Sequence, residues 1–385
     1  MTLLSTARSV AVRVRPYLPA ERVVVARAFD CALGAAAWFV PAWLLTVGTP
    51  LPVIGVFGGL WLVLGRPEHG RRLLAAAGLD ATAVRHALAV AGVTVWTLAP
   101  IVAPLSGVPV WAWFYLGVLG IAPYGGRGSR PDALTVLLGS ALGPLLALVA
   151  LTPLLAAGGL VAGLQTVFAI TAALGVLSLS LGVPRRPLAV PTLSLAALTE
   201  RVERLSRADR RLLLADGWTR GGLALVGPVF VAFSIQRLGD GMGEGAAVVA
   251  ACLALGVVAA ATVHRLLPRL RAASVWTPPT LAVGGLVVST TAPLAVLLAP
   301  ATPLAFAGTF LAVGVGQAGW TVLADEVDAV LGDHHATYRA ARAVGLALAA
   351  SVGGVLFAVD PAVAFVLASA AGVVGTGNYL RRVAA

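Results

Sequence analysis

Long apolar stretches without charged clusters recur along the sequence and set the strongest limit on its fold. A helix that crosses the hydrocarbon core of a bilayer needs about 20 apolar residues. Twelve stretches of about this length or slightly shorter can be marked out, six on each side of a polar interval. They cover residues 22–46, 48–66, 84–105, 108–124, 133–154, 157–183, 211–236, 245–267, 278–299, 303–324, 339–359 and 361–380. The pattern predicts an all-α polytopic membrane protein with twelve transmembrane helices.

The composition excludes a soluble globular domain. Hydrophobic residues make up 59% of the chain and charged residues only 11%, whereas a soluble domain has about 25% charged residues. The formal net charge of +11 does not indicate nucleic-acid binding, because the basic residues lie in short connections between apolar stretches. The bilayer is therefore the partner that the composition predicts.

The positions of the basic residues predict the orientation in the membrane. All 27 are arginines, which is typical of a GC-rich prokaryotic genome, and 24 of them fall on one side of the predicted membrane. Arg27 and Arg220 lie within stretches, and Arg237 alone falls on the other side. Because cytoplasmic loops collect basic residues, we expect a multi-pass protein of a prokaryotic inner membrane with both termini in the cytoplasm.

The polar interval near the middle of the chain divides it into three parts. We predict a six-helix bundle over residues 1–183, a cytoplasmic linker over 184–210 and a second six-helix bundle over 211–385. Within the linker, apolar residues at helical spacing predict a short amphipathic helix that tethers the halves along the inner membrane surface. These residues are Leu195, Leu198, Val202 and Leu205. Ser206 and Asp209 have the spacing of an N-terminal cap for the next helix.

One long stretch in the second half resembles a known family. From Gly314 the sequence runs GVGQAGWTVLADEVDAVLGDHHATYRAARAVGLALAASVGGVLF, which is similar to the tenth span, inner loop and eleventh span of major facilitator superfamily transporters. The resemblance is carried by Gly314, Gly316, Gly319, Asp325, Tyr338, Arg342, Gly345, Gly353 and Gly354. It implies two pseudo-symmetric six-helix bundles that alternate in access to the two sides of the membrane.

Two shorter motifs resemble the same family and depart from it in part. The run from Gly139 to Pro144 is similar to a Gly-Pro motif of the family's antiporters, but it continues with other residues than glycines. The run Gly-Arg-Pro-Glu-His-Gly-Arg-Arg over residues 65–72 is similar to the signature inner loop. Pro67 stands where that loop has an acidic residue, and Glu68 is displaced by one position. This departure argues against gating by a carboxylate at the position that the family uses.

Small residues and proline predict helix contacts independently of the family. Small residues on one helix face allow two spans to approach closely, and proline bends a helix because it lacks a backbone N–H. We therefore predict a contact and a bend between the halves at Gly139, Gly143 and Pro144. Gly314 and Gly316 are expected to form a second packing motif. Ordinary small-residue packing is the alternative.

Four charged residues inside predicted spans are candidates for the functional site. A charge at the centre of a span costs about 2.5–3.5 kcal/mol on insertion scales, so each needs a partner or a water-filled cavity. Arg27 and Asp30 lie at i and i+3, and Asp216 and Arg220 at i and i+4. We expect Arg27 to pair with Asp216 and Asp30 with Arg220 in one state, and within-helix or substrate contacts in another. Asp30 is the candidate for proton coupling; Arg27 and Asp216 alternatively extend to the inner interface.

Other candidate residues form two groups. Trp38, Trp218, Trp320 and Gln317 are predicted to line a substrate cavity, with packing and interface positions as the alternative for the tryptophans. Asp325 and Glu326 are predicted to close the inner face against Arg71 and Arg72. Arg342 is assigned to the same inner gate, with a solvated loop as the alternative. His334 and His335 match no metal-binding spacing, and neither a metal nor a cofactor is expected.

The function predicted from these features is secondary active transport. A chain without lysine cannot contain the phosphate-binding GxxxxGK[ST] loop, so we do not expect it to hydrolyse ATP or to act as an enzyme. The small number of polar side chains in the spans favours a small amphiphilic solute, moved by proton-coupled efflux through a monomer. The alternatives are a transporter-like receptor or assembly factor, or an integral-membrane lipid or isoprenoid enzyme.

Overall fold

The computed structural model describes residues 18–78, 82–122, 143–182, 192–239, 242–272 and 277–384, and all regular structure within these ranges is helical. The helices are α1 Leu18–Thr46, α2 Leu51–Leu64, α3 Pro67–Ala76, α4 Thr82–Ser106, α5 Val110–Ile121, α6 Gly143–Ser180, α7 Leu195–Glu203, α8 Arg207–Leu238, α9 Met242–Ala272, α10 Pro278–Leu298, α11 Pro303–Leu331, α12 His335–Val359 and α13 Pro361–Val383. A 3₁₀ turn, Gly332–His334, joins α11 to α12.

Eight helical stretches in the described part of the chain are long and apolar enough to cross a membrane. The predicted all-α polytopic membrane fold is thus confirmed. α2 and α5 are shorter apolar helices of 14 and 12 residues, where the sequence predicted 48–66 and 108–124. Pro50 and Pro109 directly precede them in extended backbone, a position in which the missing N–H of proline costs no intrahelical hydrogen bond.

Two of the eight stretches contain a break. One is the stretch Pro303–Val359, in which the 3₁₀ turn separates α11 from α12, and the other is α6. In α6, Gly159 adopts φ 69° and ψ 176°, outside the helical region. A Cβ atom on Gly163 would lie 2.7 Å from the Leu154 carbonyl oxygen, although a straight helix separates these residues by about 13 Å. The chain therefore reverses at Gly159, close to the boundary predicted between residues 154 and 157. Residues 133–142 of the earlier predicted stretch lie outside the described residues.

Helices of the two parts of the chain meet mainly in two pairs. α2 packs along α12, and α6 packs along α9. The first contact has no room for side chains, because a Cβ atom on Gly354 would lie 2.7 Å from the Gly55 Cα atom. A further contact was predicted at Gly139, Gly143 and Pro144. Gly139 lies outside the described residues, and so do the side-chain surroundings of Gly143 and Pro144.

The outward-facing surface of the helices is apolar. Leu105, Leu304 and Val359 are 84%, 83% and 79% exposed, and most other exposed large hydrophobic side chains are leucines and valines. A water-soluble monomer rarely exposes a large continuous apolar area. This surface therefore suits the hydrocarbon core of a bilayer.

The amphipathic helix in the linker forms as predicted, but its apolar face is covered by the protein. Leu198 and Leu205 are buried in a hydrophobic cluster whose other members lie on α8, α10, α11 and α13, and α7 itself contacts α12 and the 3₁₀ turn. Arg201 donates to the Val330 carbonyl oxygen at 2.7 Å, and the Ser194 amide donates to Thr337 Oγ1 at 3.4 Å. The membrane-surface position expected from the sequence is therefore wrong for these leucines. The end of the bundle against which α7 packs is called the α7 end below.

Two local features follow from single polar side chains. Ser206 caps α8, as predicted, because its Oγ accepts from the Asp209 amide at 3.1 Å. Arg237 donates to the carbonyl oxygens of Leu297 and Ala299 at 2.6 and 2.8 Å. Carbonyls at the end of a helix have no partner within it, so Arg237 completes the end of α10. This contact accounts for the one arginine on the arginine-poor side.

Candidate functional site: a buried charge network

A fully buried aspartate in α8 is bound by two arginines and a tyrosine. Asp216 Oδ1 accepts from Arg220 Nε, one turn along the same helix, at 2.6 Å. Asp216 Oδ2 accepts from the Tyr338 hydroxyl at 3.0 Å and from Arg342, both on α12. The Asp216 side chain has 0% exposure, whereas those of Arg220 and Arg342 have 23% and 10%. These four residues are called the charge network below.

The network lies near the beginning of two predicted spans. At 1.5 Å per residue, Asp216 is about 8 Å into the span predicted over 211–236 and Arg342 about 5 Å into the span predicted over 339–359. Both starts are at the α7 end. In hydrocarbon a charged side chain is costly unless it faces the bundle interior or a water-filled cavity. The described contacts satisfy this condition, since the network faces other helices.

An aromatic side chain from α11 extends the site. The Arg220 guanidinium carbon lies 4.3 Å from the Trp320 ring centroid, close enough for a cation–π interaction. Trp320 Nε1 donates to Ser289 Oγ of α10, and Ser289 Oγ donates to the Gly285 carbonyl oxygen at 2.8 Å. The ring is thereby held in place, and four helices of the second half meet at the site.

The network has more positive than negative charge. One carboxylate, Asp216, serves two guanidiniums, and Arg342 Nε is buried without a hydrogen-bond acceptor among the described residues. A third arginine, Arg66, approaches from the connection between α2 and α3. Burial lowers the pKa of the Arg66 guanidinium, and the nearby Arg342 and Arg220 lower that pKa further. The site is therefore electropositive even though it is partly desolvated.

A second polar contact joins α3 to α12, one helical turn away from the network. Glu68 Oε1 lies 3.3 Å from Arg339 Nε, and Arg339 also lies 3.8 Å from Asp328 Oδ2 of α11. His69 Nε2 is 2.9 Å from the carbonyl oxygen of Ala340. These residues, Glu68, His69, Asp328, Arg339 and Ala340, are called the latch below. They connect the first half of the chain to the second at the α7 end.

The latch differs from the predicted inner gate in most of its residues. Glu326 accepts from Tyr379 at 3.0 Å and from Arg382, so it joins α11 to α13 within the second half. Asp325 and Arg72 are exposed, and Arg342 belongs to the charge network. Arg71 is half-buried on α3. The displaced Glu68 makes the cross-half contact that the sequence motif left in doubt.

The described residues include the within-helix pair that was predicted for the second half. Arg220 binds Asp216 of its own helix and not Asp30. Asp30 is half-buried on α1 and lies near enough to His86 of α4 for an electrostatic effect. His86 is 2% exposed and lies beside the Phe29 ring. The side chain of Arg27 lies outside the described part. Sequence reasoning missed His86, although its place at the start of an apolar span is a signal.

The remaining predicted residues do not converge on the network. Trp38 and Trp218 are 53% and 49% exposed, and Gln317 is also exposed. Gly314 and Gly316 form helix contacts: a Cβ atom on Gly314 would lie 2.1 Å from the Gly256 carbonyl oxygen, and one on Gly316 would lie 2.8 Å from Val288. Both glycines therefore pack α11 within the second half.

Comparison with solved structures finds the same fold in transporters. The nucleoside transporter NupG superposes with a TM-score of 0.67 at 12% identity, covering 95% of this chain and 99% of that chain. A POT family transporter in complex with 5-aminolevulinic acid gives a TM-score of 0.64 at 11% identity, covering 93% and 95%. An auto-inhibited POT family peptide transporter gives 0.58 at 12% identity, covering 94% and 97%.

No family model and no curated protein sequence matches the chain. Identities this low show a common fold and no more. The chain therefore shares the overall fold of these solved transporters.

Proposed function

We propose that this chain is a secondary active transporter that moves a small amphiphilic solute across the membrane by alternating access. The observation that carries the proposal is the fold, which nearly the whole chain has in common with solved transporters. The buried charge network supports it, because ionisable side chains within spans commonly mark substrate or ion pathways.

The proposed moving parts are two six-helix bundles, residues 1–183 and 211–385, joined by the linker 184–210. The pairs α2–α12 and α6–α9 are the contacts along which the bundles rock. The α7 end faces the cytoplasm of a prokaryotic cell and holds both termini, since this end collects the arginines. Rocking then exposes the space between the bundles to either side in turn.

The latch is the proposed inner gate. It connects α3 of the first bundle with α11 and α12 of the second, so it must break before the α7 end can open. The contact is only partly buried, because the Arg339 side chain is 35% exposed. An ion pair of this kind is weak enough to open during each cycle.

Coupling to the proton gradient is assigned to Asp30, and the direction proposed is efflux. Asp30 is half-buried in α1 and acts electrostatically on the buried His86 of α4. A carboxylate and an imidazole that interact electrostatically offer two groups that exchange protons in the membrane interior. The charge network lies on other helices, which separates solute binding from proton binding.

Flux in proteoliposomes tests the proposal. An imposed pH gradient should drive a panel of amphiphilic solutes through the native protein, and Asp30→Asn should abolish this coupling while leaving exchange of labelled solute without a gradient. Arg27→Ala tests the neighbouring charge, and Asp325→Asn, an exposed carboxylate, is the matched control. Gradient-driven flux that survives Asp30→Asn would remove the coupling role. No flux with any solute would favour a receptor or assembly role instead.

A further inference from the structure

We propose that the charge network recognises the carboxylate of an organic monoanion, with Arg342 as the binding guanidinium and the aromatic rings beside it packing against the solute's apolar body. The inference rests on the proposed transport function and names its substrate class. It is carried by the ratio of charges, by one unsatisfied buried donor and by the position of the site next to the latch.

The charges that face one another at this site do not balance. Four guanidiniums and three carboxylates are in electrostatic contact among the described residues: Arg66, Arg220, Arg339 and Arg342 with Asp216, Glu68 and Asp328. Glu68 and Asp328 are both used by Arg339. Glu68 also acts on Arg66, and Asp216 pairs with Arg220 and Arg342, so the group as a whole has an excess of one positive charge. A monoanion would reduce this excess, whereas a cation would add to it.

The geometry of Arg342 favours a carboxylate. Its side chain is nine-tenths buried, and its Nε donor has no acceptor among the described residues. A guanidinium presents several donors in one plane, which matches the two oxygens of a carboxylate. Asp216 accepts from Nη1 of Arg342, which leaves Nε as the donor that we assign to the carboxylate of the solute.

The aromatic surroundings favour an apolar body on the anion. Trp320 is held by Ser289 with its face against Arg220, and the Tyr338 ring lies 5.3 Å from the Arg342 guanidinium carbon. Aromatic side chains combine a large apolar surface with a fixed geometry. A small inorganic anion would leave this surface unused.

The latch places the site under the proposed gate. Arg339 of the latch and Arg342 of the network are three residues apart on α12, and Arg66 directly precedes α3, whose second residue is Glu68. Movement of α3 away from α12 therefore removes Arg66 and Glu68 from the site together. The Arg220 side chain, 23% exposed, is the part of the network that solvent already reaches.

Calorimetric titration of the purified, detergent-solubilised full chain tests the inference. The probes are benzoate and hexanoate, and their neutral isosteres benzamide and hexanamide are the comparison. We expect each carboxylate to bind about tenfold or more tightly than its amide, because charge-assisted hydrogen bonds are roughly twice as strong as neutral ones. Equal affinity for acid and amide, or no binding of either carboxylate, would overturn the proposal.

Variants assign the preference to Arg342. Arg342→Gln should remove most of the carboxylate preference and leave amide binding unchanged. Arg382→Gln is the matched control, because Arg382 pairs with one carboxylate, Glu326, at the same end and is 22% exposed; it should keep the preference. A loss of equal size in both variants, or no loss in Arg342→Gln, would contradict the assignment.

A second variant covers the case in which Arg342→Gln does not fold. Arg342→Lys keeps the charge but removes the planar fork, so carboxylate affinity should fall severalfold with amide affinity unchanged, and unaltered carboxylate affinity would contradict the proposal. Binding in detergent needs no gradient. If the protein prefers carboxylates but shows no flux, only the proposed transport function is contradicted. If it shows flux but no preference for carboxylates, only this inference is contradicted.

Discussion

Glu68 of α3 and Arg339 of α12 form an ion pair across the two halves of the chain, with 3.3 Å between Oε1 and Nε. The Glu68 side chain is 6% exposed, and its other oxygen, Oε2, is buried without a hydrogen-bond partner among the described residues. Only one of the two oxygens of the Glu68 carboxylate therefore has a partner among the described residues. The pair therefore stabilises closure of the α7 end without making it permanent.

Neutralising Glu68 should loosen this closure. Glu68→Gln removes the charge that attracts Arg339, and partly exposed ion pairs contribute about 1 kcal/mol. We expect a cysteine at Ala340, which is 3% exposed, to react with a water-soluble maleimide a few fold faster, in a background with Cys31 and Cys252 replaced by alanine. Asp325→Asn removes an exposed charge nearby and should not change the rate. Equal rates in native and Glu68→Gln protein would show that the pair does not hold α3 to α12.

The close contact between α2 and α12 should not tolerate even one methyl group. Gly354→Ala places Cβ within 2.7 Å of the Gly55 Cα atom and of the Leu51 carbonyl oxygen, and both are backbone atoms that cannot turn aside. Overpacking of this kind costs about 1–3 kcal/mol. Gly345→Ala on the same helix, where nothing lies within 4 Å, is the control and should be neutral or slightly stabilising. Thermal unfolding in detergent measures both, and equal melting temperatures would refute the tight contact.

The apolar pattern predicted the class of fold, because membrane insertion depends mainly on segment length and polarity. It also placed Ser206 as a cap and found the amphipathic helix. The same pattern predicted that the apolar face of this helix lies on the membrane surface. Periodicity shows which face of a helix is buried, but it does not show whether lipid or protein covers that face. Leu198 and Leu205 are covered by neighbouring helices instead.

The charge network was predictable only in part. Asp216 and Arg220 were identified because charges are rare within spans, and their i, i+4 spacing gives the observed pair. Arg342 lies at the beginning of a span, where sequence alone favours the gate over the interior. Its bond to Asp216 depends on the crossing of α8 and α12, and tertiary contacts of this kind leave no spacing signal. The same holds for Glu68, whose motif position is shifted although its side chain reaches Arg339.

The orientation of the chain can be tested with reporters. The connection between α1 and α2 at Gly48 contains no arginine, whereas the linker around Arg185 is rich in them. A reporter fused after Gly48 should be active outside the cell, and one fused within 184–210 should be active inside, because basic loops stay in the cytoplasm. A reporter after Gly107, in the next arginine-free connection, serves as the internal check. The reverse pattern at all three positions would overturn the orientation.

Removing the carboxylate of the charge network should be the most destabilising change in the second half. Asp216→Asn leaves Arg220 and Arg342 without a counter-charge in a site where the aspartate side chain is 0% exposed. Breaking a buried ion pair from one side costs about 3–5 kcal/mol, because the remaining charge stays desolvated. Unfolding by SDS in mixed micelles measures this loss. Glu200→Gln on α7 breaks the exposed pair with Arg204, the residue that follows this helix, and should have no measurable effect. Arg342→Gln should cost less than Asp216→Asn, because Arg220 continues to compensate the aspartate. If Asp216→Asn and Arg342→Gln both unfold at the same SDS concentration as the native protein, the network does not stabilise the contact of α8 with α12.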